Sequence, residues 1–132
     1  MYFLFSFCPL FALGQVSTGF ESGLGVEWDQ FPENCWETSP DQALSGLYSL
    51  HHSFDNTVSG TDRISFETGN FDTNRKISWE FTLRHGYSPS SSNKWYVFLA
   101  VDKGATESDR SGILNGYVLG VNITGSDDTL RL

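Results

Sequence analysis

Basic residues are scarce in this sequence: eight Lys and Arg stand against sixteen Asp and Glu, for a formal net charge of −8. A phosphate backbone or an anionic lipid surface is repelled by such a chain, which excludes nucleic acid as a partner. Neutral glycans, cations and basic protein patches remain open. Cysteine is nearly absent as well, with only Cys8 and Cys35. There is one Met, and no stretch carries a 3.6-residue apolar period long enough for a helix. Missing too are the marks of common catalysts. No Gly-x-Ser-x-Gly elbow, no phosphate-cradling glycine loop before a helix and no Glu-x-Asp-x-x-Glu strand occurs. Nothing in the motifs makes the chain an enzyme.

Long apolar runs are absent except at the start, where "MYFLFSFCPLFALG" occupies residues 1–14 without a charge. It is too short to span a bilayer, so no membrane insertion is expected. Small residues at Ala12 and Gly14, ahead of Gln15, fit a secretory signal peptide cleaved after Gly14, although the usual basic residue at the beginning is missing. A buried first strand is the alternative, and Pro9 argues against it. On this reading the protein is secreted or displayed at the cell surface, and Cys8 leaves with the leader. Cys35 then has no disulfide partner and reads as a small buried hydrophobe.

What is present is aromatic and turn-rich: 20 Phe, Tyr and Trp, with 13 Gly, in 132 residues. Such a chain favours strands. "KISWEFTLRH" (76–85) alternates Ile77, Trp79, Phe81 and Leu83 with polar residues, which predicts one core face and one wet face, with Trp79 buried. "KWYVFLAVD" (94–102) is apolar on both sides and reads as a central strand covered on both faces, or as one whose second face binds something. "GYVLGVNI" (116–123), "GLYSLHHSF" (46–54) and "DRISFE" (62–67) follow the same logic, with weaker strands at "VEWDQF" and "CWETS". Gly120 leaves a gap on one face of its strand. Seven short strands predict an all-β fold, an antiparallel β-sandwich, forming one domain over residues 15–132. "DDTLRL" opens a further alternating strand at the end, so the domain is expected to be incomplete at its C-terminus.

The stretches "FESGLGVEWDQFPENCWETSPDQALSGLYSLHHSFDN", "SWEFTLRHGYSPSSSNKWYVFLAVD" and "NGYVLGVNITGSDDTLRL" together resemble an N-terminal module of large secreted Bacteroidetes surface proteins. Those proteins often carry lamin-tail-like domains and a C-terminal sorting signal. The resemblance runs from about Phe20 to the last residue and implies a jelly roll of the concanavalin A-like or laminin G-like kind. It implies no catalytic residue.

Three constellations then compete. Many sandwiches of this shape are glucanases, whose chemistry needs two carboxyls about 5 to 10 Å apart across a sugar. Here Glu80 stands alone on its strand, and Asp62 and Glu67 fall on opposite faces. Calcium needs six or more hard oxygens, and "FDNTVSGTDR" offers Asp55, Asn56 and Asp62 around a glycine turn, with Asp127 and Asp128 in a second loop. The same residues also make ordinary hairpin turns. Sugar binding needs an exposed aromatic surface beside amides. Tyr87, Trp95, Tyr96 and Tyr117 border the two long polar loops, with Asn93 and Asn115 as companions. The alternative for each ring is the core. Finally, the neighbours His51 and His52 must point to opposite faces of a strand, so they cannot close on one metal. His52 and His85 both fall in apolar phase and are expected to meet in the core.

These readings converge on a non-catalytic extracellular module binding carbohydrate or a surface protein, with possible calcium. A structural spacer domain, or the front of a glycan-active hydrolase, are the alternatives.

Overall fold

The computed structural model describes residues 16–53, 57–69, 74–108 and 115–132. Among them the fold is all-β and antiparallel, with no helix. Seven strands run in order: β1 (Trp28–Phe31), β2 (Trp36–Ser39), β3 (Ser49–His52), β4 (Arg63–Phe66), β5 (Tyr96–Val101), β6 (Gly116–Val121) and β7 (Leu130–Arg131). They pair as β1–β4, β2–β3 and β5–β6–β7. These are the parts of a small β-sandwich.

The sheets are tied by side chains. The Gln30 amide on β1 accepts from Trp36 N at 3.0 Å and donates to Trp36 O at 3.1 Å, clamping β2 to β1. His52, at the end of β3, sets Nε2 2.7 Å from Asp62 Oδ2, just before β4. The turn after β5 docks on the first sheet: Ala105 N donates to Ser65 Oγ at 2.8 Å and Thr106 N to Asp29 Oδ2 at 3.2 Å. Arg63 reaches the Ser108 carbonyl from the same sheet and lays its guanidinium over the Phe31 ring at 4.8 Å. Trp28 is flanked by Phe20 and Phe66, at centroid distances of 5.5 and 4.6 Å.

Two expectations are corrected. Residues 76–85 join no ladder among the described residues, and Ile77, Trp79, Phe81 and Leu83 are all exposed rather than core. Without a described strand on that side, β5 lies at an edge and β6 takes the centre. The reason is pairing: a period of two says which side chains share a face, not whether another strand is available to bond the backbone. The described apolar core is correspondingly small, with Cys35, Ala105 and Val121 its fully buried members.

The ladder between β5 and β6 also breaks register. Tyr96 faces Gly120 and Phe98 faces Val118, yet Ala100 faces Tyr117, so a bulge falls at Leu99. A bulge inserts one residue and reverses the faces beyond it. Ala100 therefore shares a face with Val97 and Leu119, not with Tyr96 and Phe98.

Candidate functional site

The chain between residues 85 and 95 doubles back on a serine. Ser90 Oγ accepts from Asn93 N at 2.9 Å and from Ser92 N at 3.2 Å, while Ser90 N donates to Asn93 O at 2.7 Å. A serine hydroxyl offers the backbone this local alternative to a ladder, so the chain reverses there. The reversal returns Trp95 to the side of His85, at a ring distance of 6.0 Å. Tyr87 lies 5.5 Å from the same imidazole. Tyr87, His85 and Trp95 thus form a row of three tilted rings at the Ser-rich rim.

Local chemistry holds the row. His85 Nδ1 is 2.6 Å from Tyr87 O. A carbonyl oxygen only accepts, so Nδ1 carries the proton of this bond. Tyr87 is half exposed, and Asn93 is exposed at the loop tip. The Trp95 indole N–H is buried and has no hydrogen-bond partner among the described residues. Its N–H edge therefore points inward, and Trp95 contributes ring surface rather than a donor.

The other three sequence-predicted contacts lie elsewhere. Tyr96 turns toward Gly120, filling the gap that glycine leaves, and its hydroxyl donates to Asn122 O at 3.3 Å. It anchors a turn. Asn115 and Tyr117 sit at the far end of the β5–β6 hairpin, five strand residues from Trp95, or about 17 Å. Asn115 is committed to Asp102, with Nδ2 donating to Oδ2 at 2.7 Å and the backbone N–H donating to Oδ1 at 3.2 Å. These bonds hold the Asp102 carboxyl below the usual carboxylate range. Tyr117 is 70% exposed and stands on the opposite face from Tyr96.

Of the proposed calcium ligands, Asp55 and Asn56 lie outside the described residues. Asp62 is enclosed, its side chain 5% exposed, and one oxygen is taken by His52. No group of three or more His, Cys, Asp or Glu side chains among the described residues is arranged for a metal. The histidines behave differently from the core pair expected of them. His51 and His52 do face opposite ways, His51 toward Glu37 at 3.8 Å and His52 onto the Trp36 ring at 4.9 Å. But His52 keeps 39% of its side chain accessible, and His85 belongs to the rim. Cys35 is buried as expected. Burial first, then the neighbouring Asp62 carboxylate, pushes its thiol up, which leaves it protonated and unreactive.

His85 is the member that sequence reasoning missed. Its alternation with Leu83 placed it in the core, whereas His85 and Tyr87 pack side by side at the rim. No helix among the described residues is long and apolar enough to cross a membrane. The chain matches no protein-family model, no curated protein and no solved structure.

Proposed function

We propose that this chain is a non-catalytic extracellular β-sandwich module, a jelly roll of the concanavalin A-like kind, that binds a carbohydrate through the Tyr87–His85–Trp95 rim. The observation that carries the reading is the row itself, three rings set side by side on a loop that a serine turn fastens. A pyranose stacks its C–H face on such a surface, and Asn93 at the tip supplies an amide for its hydroxyls. The net charge of −8 favours neutral or amino sugars over acidic ones. Secretion and surface display follow from the apolar leader, and the reading needs no metal ion.

A glycan array with the purified chain tests it. Binding to a neutral oligosaccharide is expected, and Tyr87→Ala, which removes a half-exposed ring, is expected to weaken it by about tenfold. Trp95→Ala is the poorer probe, because its inward N–H edge makes that change a packing defect too. Absence of binding to every glycan would leave a spacer domain.

A further inference from the structure

Residues 76–84, just ahead of the rim's His85, are the largest feature the rim does not use. Ile77, Trp79, Phe81 and Leu83 are 43, 40, 45 and 41% exposed, and no ladder among the described residues includes them. Exposed alternating apolar residues on an unladdered segment form a template for another strand. No Pro or Gly interrupts residues 76–85, and Trp, Phe and Thr favour extended pairing.

The charges choose the partner. Pairing must keep the apolar residues on one face, which leaves only registers in which odd-numbered residues meet odd-numbered ones. In a self-pair centred on Glu80, that glutamate meets its own copy and Lys76 meets Arg84, two kinds of like-charge contact. Centred on Phe81, Glu80 meets Thr82 and gains nothing. Centred on Thr82, Glu80 stands opposite Arg84 twice, Phe81 opposite Leu83 twice and Trp79 opposite His85 twice. Thr82 meets Thr82 on the axis. Opposite charges and aromatic or aliphatic pairs directly across an antiparallel ladder each stabilise it. Gly86 and Pro89 end the ladder beyond His85.

We propose that residues 79–85 pair antiparallel with the same residues of a second copy of this chain, about a two-fold axis at Thr82. A two-fold contact is self-complementary by construction, which the Glu80 and Arg84 positions satisfy. The dimer covers the exposed Trp79, Phe81 and Leu83. It also brings Trp79 of the partner subunit beside His85 and so lengthens the aromatic row.

Sedimentation velocity of the whole chain tests this directly. A species of twice the 14.8 kDa chain mass is expected at micromolar concentration. Glu80→Arg is expected to weaken the dimer by about tenfold or more, since it sets like charges opposite at two places. The double change Glu80→Arg with Arg84→Glu is expected to restore it. Arg84 also bonds Gln42, and that contact is lost in the double variant, so recovery reads the dimer alone. In a Cys8→Ser background, Thr82→Cys is expected to oxidise to a covalent dimer and Ser78→Cys to stay monomeric. A monomer at every concentration would overturn the proposal. So would a Glu80→Arg variant that dimerises like the parent, or crosslinking at Ser78 as readily as at Thr82.

Discussion

Gly120→Val is expected to destabilise the protein by about 3 kcal/mol or more, detected as a large drop in the urea midpoint with the β5–β6 ladder lost. Gly120 is buried near the end of β6, opposite Tyr96. A Cβ there would come within 2.6 Å of the Trp95 carbonyl oxygen and 2.5 Å of Tyr96 Cδ1. The tyrosine ring can swing aside, but the carbonyl is backbone and already accepts Val121 N–H at 3.1 Å. Relief therefore requires β5 to move off β6, which breaks the ladder and displaces the residue at the head of the aromatic row. Gly120→Ala is expected to act in the same direction with a smaller effect. An unchanged midpoint for the valine variant would mean that β5 and β6 are not in this register.

The second large effect falls two residues later. Asn122 is fully buried with a φ of 58°, a left-handed conformation that asparagine tolerates better than most residues. Its side chain closes the turn into β7. Nδ2 donates to Asp128 Oδ1 at 3.0 Å, and Oδ1 accepts from Asp128 N at 2.8 Å. Its own carbonyl accepts the Tyr96 hydroxyl. Asn122→Ala removes two part-buried hydrogen bonds, each worth about 1 kcal/mol, and leaves a left-handed alanine at a cost of about 1 kcal/mol more. A loss of about 2 to 4 kcal/mol is expected in thermal or chemical unfolding. Asn122→Gly, which relieves the backbone but not the bonds, is expected to fall between alanine and the parent.

These two positions show why part of the fold was legible and part was not. The strands that became β1 to β6 were visible because Trp, Phe, Val, Ile and Tyr cluster in short runs between turn residues, and a strand needs little more. Residues 76–85 carried the clearest alternation and yet joined no described ladder, because alternation reports a face and not a neighbour. Residues 94–102 are apolar nearly throughout, so their pattern held no register, and the bulge at Leu99 left no trace in it. The gap at Gly120 was legible, but the Tyr96 ring that fills it depends on a pairing no local pattern encodes.

The rim was legible in the same partial way. Tyr87, Asn93 and Trp95 were marked by their place around a Ser-rich loop. Tyr96 was marked for the same reason and went to an anchor, because successive strand residues face apart. Asn115 and Tyr117 border the second loop, which opens at the other end of the hairpin. His85 was hidden by its phase. Only the Ser90 turn, which brings Trp95 back to it, makes the imidazole the middle ring of three.

The central claim is that the Tyr87–His85–Trp95 row holds the sugar, and NMR titration with an array-positive neutral oligosaccharide tests it most directly. The four tryptophans, Trp28, Trp36, Trp79 and Trp95, give separate indole signals. The ring protons of Trp95, His85 and Tyr87 are expected to shift together and saturate at one affinity, while Trp28 and Trp36 stay in place. Shifts centred on Trp28 or Trp36 with the rim unmoved would contradict the account.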